Sequence, residues 1–201
     1  MKVFDLTMPI DSRTPVFPGS PKQEIRQIST IKENGWNETR IAFNSHFSTH
    51  VDAPFHMIEN GKKLSDFPID SFVGDAVVID ARNQRRIEPS LDEVMPGDIV
   101  FFYTGHSEKA YSAGFYKNNP EITKKTADAL IAKKIKAVGL DSYSADNEPY
   151  EAHKLLFRRG ILIVENLVNL APLNGKRFVC CILPLKVMDA DGAPCRVIGM
   201  L

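Results

Sequence analysis

The chain of 201 residues has no excess of charge of either sign: 25 Lys and Arg are matched by 25 Asp and Glu. With neither a basic stripe for a phosphate backbone nor an acidic tail, nucleic acid is not an expected partner, and a small molecule is. Cysteine is scarce too. Of the three, Cys180 and Cys181 are adjacent in the apolar run "FVCCIL", which reads as a buried strand in a reducing compartment and not as a disulfide framework or a spaced zinc knuckle. No apolar run approaches the ~20 residues of a membrane span, and "MKVFDLTMPI" has neither the apolar core nor the small-residue cleavage site of a signal peptide. A cytoplasmic protein that does not enter membranes is expected.

What is present is 43% hydrophobic residues, enough for one core over residues 1–201 and not comfortably for two. Short apolar runs alternate with helix-like segments, and no repeat or charge block marks a linker, so the fold class is α/β. "VGDAVVIDA" and "GDIVFFYTG" read as core strands entered through Gly-Asp. From Thr123, Ala127, Leu130 and Ile131 share one helical face, and "IKAVGLDS" follows as a strand, so a helix should cover a sheet. The tail reads as a hairpin about a "DADGAP" turn. The aperiodic stretch "TGHSEKAYSAGFYKNNPE" from Thr104 is long enough to overhang a pocket, and its His106 reads as a surface histidine.

Three of the five histidines fall in "HFSTHVDAPFH", residues 46–56. His46, Ser48, His50 and Asp52 are spaced by two and share one face of an extended strand. Two imidazoles and a carboxylate on one face form a donor set for zinc or manganese that leaves a position for water. A straight strand would hold His46 and His50 ~13 Å apart at the backbone, so a bend near Ser48 is required. The alternative is a solvated polar strand face. Downstream, "YEAHKLLFRRGILIVENLVNL" reads as a helix through Arg159 stopped by Gly160, then a buried strand Ile161–Val164 ending at Glu165. The reversal can bring His153 and Glu165 to one end of the unit. A buried Glu165 must be protonated, paired or metal-bound. The competing reading has His153 capping the helix and Glu165 paired with Arg158 or Arg159.

These motifs, with "DLTMPI", "TPVFPGSP", "GLDSYSAD" and "LPLKVMDADGAPCRVIGML", resemble the putative cyclase family of metal-dependent hydrolases, which includes bacterial kynurenine formamidase and isatin hydrolase. The resemblance implies a single α/β domain with a barrel-like mixed sheet flanked by helices, of the swivelling β/β/α type, assembled as a homodimer or homotetramer. It implies that His46, His50 and Asp52 bind one divalent metal, that Asp52 and Glu165 bridge to a second held by His153, and that His56 is the proton donor and acceptor. Zinc is the first expectation and manganese the second, as one ion or two. Three departures from the family pattern stand out. Ser48 occupies a glycine position, Phe17 replaces a substrate-lining tryptophan and is the candidate substrate contact, and Ser20 replaces an aspartate.

The implied reaction is hydrolysis of a small amide by metal-activated water, with N-formylkynurenine going to kynurenine and formate as the leading case. The alternatives are hydrolysis of a cyclic imide, lactam or lactone, or a metal-stabilised binding protein without catalysis. Pocket walls are expected from Phe17 and from the loop bearing Phe115 and Tyr116.

Overall fold

The elements of the computed structural model, which describes residues 1–201, are in chain order β1 (Val3–Asp5), β2 (Glu24–Ser29), α1 (Ile31–Asn34), β3 (Glu38–Ala42), β4 (His50–Asp52), β5 (Val73–Asp80), β6 (Arg86–Ile87), β7 (Ile99–Tyr103), β8 (Glu121–Ile122), α2 (Lys124–Ala132), β9 (Ala137–Leu140), α3 (Glu151–Phe157), β10 (Leu162–Glu165), β11 (Arg177–Pro184) and β12 (Gly192–Met200). The main sheet runs β1-β12-β11-β5-β7-β9-β10-β4, and β4 also pairs with β12. That last pairing closes seven strands into a ring, and β1 extends the edge of β12 beside β4. Strands β5, β7, β9 and β10 are mutually parallel, and the remaining barrel pairings are antiparallel. The result is an α/β fold around a barrel-like mixed sheet.

Two-residue alternation divides the apolar side chains between two cores. Ala76, Val78, Ile99, Phe101, Ala137, Leu162, Val164 and Cys180 fill the barrel. Their neighbours Val77, Val100, Phe102, Val138 and Ile163 point outward onto Ala127 and Leu130 of α2 and Leu156 and Phe157 of α3. This accounts for strands with almost no polar residues, since both faces are buried. Helix α2 starts where expected, with the Thr123 side chain accepting from the Thr126 N–H. No helix is long and apolar enough to cross a membrane.

Two boundaries differ from the sequence reading. Helix α3 ends at Phe157, with Arg158 as its cap, and the chain reverses through Gly160 at φ 69°. The tail hairpin is real, but "DADGAP" is not its turn: Gly192, Ala193 and Pro194 pair with Asp52, Val51 and His50 of β4. Ring closure draws these residues into the ladder and leaves 185–191 as the connection. Gly192 is required there, because a Cβ would lie 2.8 Å from the Val51 carbonyl oxygen and 3.0 Å from the His46 ring.

Candidate metal centre

The centre is built on β4. Ser48 takes a left-handed backbone, φ 58°, so the chain turns immediately before the strand and His46 lies off its line, as the spacing of the two histidines required. A residue with a Cβ is strained there, and hydrogen bonds hold the turn. Ser48 Oγ donates to the Met8 carbonyl at 2.8 Å, while the Ser48 carbonyl accepts from Asn166 Nδ2 at 3.0 Å and His50 Nδ1 at 2.9 Å.

With Nδ1 committed to the Ser48 carbonyl, His50 Nε2 points inward without a hydrogen-bond partner. Glu165 of β10 is the register partner of His50, and directly opposed residues of an antiparallel pair share a face. His50 Nε2 lies 3.5 Å from Glu165 Oε2 and 3.3 Å from Asp52 Oδ1. His153 enters from α3 with Nε2 3.2 Å from Glu165 Oε1, its Nδ1 donating to Asp146 at 2.5 Å. The other Asp146 oxygen accepts from the Ala152 N–H at 2.6 Å, satisfying an open donor of the first helical turn. His46 donates from Nδ1 to Asp52 Oδ1 at 2.7 Å and from Nε2 to Asp191 Oδ2 at 2.8 Å. His56, at the end of the short turn Pro54–His56, lies with its ring 3.9 Å from that of His46 and its Nδ1 3.6 Å from Asp191.

All five expected ligands and His56 therefore converge. Their grouping differs from the one the resemblance implied. His50, Asp52 and Glu165 form one set of mutually close ligand atoms and His46, Asp52 and His56 another, with Asp52 shared. Glu165 pairs with histidines and not with Arg158 or Arg159, because β10 carries it into the barrel mouth. Two atoms test whether a metal suits the site. His50 Nε2 and Asp52 Oδ2 are buried without any hydrogen-bond partner, and orphaned polar atoms of this kind cost about 1–3 kcal/mol each. A divalent cation satisfies both, and the nitrogen and oxygen donors suit zinc or manganese.

The electrostatics are those of a cluster in which protons occupy the place of a cation. Burial alone would lower the pKa of His46, but Asp52 and Asp191 raise it from 6.5 to about 10. Against the same burial, Asp146 and Glu165 raise His153 to about 10. Burial and the Asp52 charge would push Glu165 up, yet His153 and His50 hold it below its usual range. Asp52 is also lowered, the nearby histidines outweighing its burial, and Asp191 is lowered by its bond to His46.

In the metal-free protein, raised histidines stabilise the fold fully below about 6.5, and this contribution disappears as pH climbs toward about 10. Lowered carboxylates stabilise above their ordinary values near 4 and lose that contribution as pH falls. Stripped protein should therefore be most stable between about pH 4.5 and 6.5, whereas metal affinity should rise with pH as protons are displaced. Thermal melts of chelator-treated protein across pH 4–10 check this; a melting temperature climbing steadily from pH 7 to 9 would contradict it.

Above the centre lies a cavity of about 320 Å³. His56, His153 and Glu165 line it together with the aromatic rings of Phe17, Tyr116, Tyr143 and Tyr150. The ring of Phe17 meets Tyr116 edge-on at 5.7 Å. Phe115 is not a wall: it is 1% exposed and packs with Met8 and Ala110 behind Tyr116. Nor is His106 a surface residue. It is buried, with Nε2 donating to the Phe115 carbonyl at 2.6 Å, and so pins the loop from inside. Asp191, Asp146, Tyr143 and Tyr150 were not anticipated. For Asp146, the position ahead of a helix was an available signal; Asp191 is masked by the Asp-Gly pair that reads as a turn.

Residues 4–147 match a family described as "Putative cyclase". The kynurenine formamidase of Bacillus mycoides is 30% identical, over 97% of this chain and 95% of the relative. An uncharacterized protein of Methanocaldococcus jannaschii is 34% identical over the full length of both. Among solved structures, isatin hydrolase A from Labrenzia aggregata, bound to benzyl benzoate, superposes with a TM-score of 0.89 at 25% identity, covering 100% of this chain and 93% of that one. A potential metal-dependent hydrolase with cyclase activity superposes at 0.82 with 31% identity, covering 98% and 96%.

Proposed function

The chain belongs to the putative cyclase family, and from that premise we propose that it is a metal-dependent amidohydrolase of the arylformamidase type. It cleaves the C–N bond of a small aromatic formamide, the reaction that takes N-formylkynurenine and water to kynurenine and formate. The observation that carries this reading is the pair of buried, unpartnered ligand atoms on His50 and Asp52, lying beneath an aromatic-walled cavity.

His50, Asp52 and Glu165, with His46 and His153, hold the divalent ion, zinc first and manganese second, as one ion or two. When bound, such an ion polarises the substrate carbonyl and lowers the pKa of water from 15.7 to about 7. His56 moves the proton. Burial, which outweighs the nearby Asp52 and Glu165 charges, keeps its pKa below the usual 6.5, so it is neutral at pH 7 and able to accept. It takes a proton from the attacking water as the C–O bond forms and returns it to the departing nitrogen as the C–N bond breaks. Asp191, facing both His46 and His56, orients the two rings. Phe17 and the tyrosines seat the aromatic group and displace water from it.

A cyclic imide, lactam or lactone is the second substrate reading, favoured by the full-length superposition on isatin hydrolase A. A non-catalytic metal-stabilised protein would need neither an open cavity nor a neutral imidazole beside the ligands. The chain also assembles as a homodimer or homotetramer in a cytoplasmic setting. The β2–β3 hairpin supports assembly, since it leaves Ile25, Ile28, Trp36 and Ile41 exposed, and isolated two-stranded hairpins are marginal in water. Metal-reconstituted protein should hydrolyse at least one of N-formylkynurenine, formanilide, isatin or a simple lactone. A metal-loaded preparation inert toward all four would overturn the enzyme reading.

A further inference from the structure

The cavity over the metal centre is flanked by a second chamber of about 130 Å³, and the two share Phe17, Tyr116, Tyr143, Ser144 and Tyr150. Neither wall contains a lysine or an arginine. The ionisable carboxylates of the outer chamber are Asp146 and Glu148. Both oxygens of Asp146 are engaged, by the Ala152 N–H and by His153 Nδ1. Glu148 is exposed, belongs to the outer chamber and not the inner one, and is free to meet a ligand.

Resting on the hydrolase reading above, we infer that the outer chamber is a specificity subsite for the tail of the substrate, that it accepts an ammonium group, and that it selects against a free carboxylate. An ammonium there meets the rings of Tyr116, Tyr143 and Tyr150, whose electron density attracts a cation more strongly as water is excluded, and the carboxylate of Glu148. A carboxylate in the same place surrenders its hydration to walls that supply aromatic rings, tyrosine hydroxyls and a like charge, together with a Ser144 hydroxyl that donates to the Asp146 carbonyl and an Asn147 amide that donates to Glu121, with no cation to replace the lost water. The substrate class is thus an aromatic formamide with an amine-bearing or uncharged tail, in preference to one carrying a complete amino-acid group.

Three formamides separate these possibilities on the metal-loaded protein: formanilide without a tail, N-formylkynuramine with an ammonium tail, and N-formylkynurenine with ammonium and carboxylate together. The kcat/KM for N-formylkynuramine should exceed that for N-formylkynurenine about tenfold or more. Glu148→Lys should shrink this ratio severalfold, with each rate referred to formanilide in the same variant. Equal or better turnover of N-formylkynurenine by the natural sequence would overturn the subsite while leaving the hydrolase reading intact. Hydrolysis of none of the three would count against arylformamide hydrolysis. The subsite would then be decided by calorimetric binding of the two amines: kynuramine binding tighter than kynurenine supports it, and equal binding or none refutes it.

Discussion

Replacing His50 with alanine is expected to remove metal and hydrolysis together. Its imidazole is 2% exposed, Nδ1 is held by the Ser48 carbonyl, and Nε2 has no partner within the chain. The ring is thereby fixed in one orientation, with Nε2 directed at Asp52 and Glu165. No neighbouring side chain can take its place, since His46 and His153 already approach from other directions. Turnover should fall below detection, and bound metal, measured by elemental analysis of the purified variant, should drop to a small fraction of the natural stoichiometry. The variant should also lose the stabilisation that a ligand specific for the native state provides, which at 1,000 times Kd is about 4 kcal/mol. Full metal content in His50→Ala would exclude this residue as a ligand.

Replacing His56 with alanine should have the opposite signature. Metal content and melting temperature should stay near those of the natural chain, while kcat falls by about 100- to 10,000-fold, the usual contribution of positioned proton transfer. The pH–rate profile should change shape as well, because a group titrating below 6.5 has been removed. This variant also discriminates between two roles that the geometry brings close together, since a ligand atom of His56 lies within 4.8 Å of those of His46 and Asp52. Loss of metal from His56→Ala, to the extent seen for His50, would make it a ligand and leave the proton-transfer role vacant.

Much of this was legible in the chain because period-2 and period-3.6 patterns are local. The runs that became β5, β7 and β9 were visible from their own residues, as was the Thr123 start of α2. The required bend at Ser48 could be deduced from reach alone, because two imidazoles ~13 Å apart on a straight strand cannot readily share an ion. What stayed hidden depended on distant segments meeting. Gly192 and Pro194 look like turn residues until β4 is seen to need a second partner. His106 looks like a loop histidine until the loop folds over it. Tyr143 and Tyr150 lie in a segment with no periodicity, and only the folded chain brings them to the same cavity as Phe17.

Strand β4 has consequences for how the molecule breathes. It is three residues long, and it is the stave that joins β10 to β12. Short staves are natural sites of local opening, and this one carries two of the proposed ligands while a third sits across the seam on β10. An ion bound there would act as a rivet across the barrel's shortest stave. Amide exchange at Val51, Ala193 and Cys195 should accordingly quicken when metal is withdrawn, while exchange at Val77 and Val100, in the middle of the parallel staves, should change little. On the proposed ligand set, the metal centre and the closure of the barrel would form one cooperative unit, and withdrawing the metal would loosen the seam.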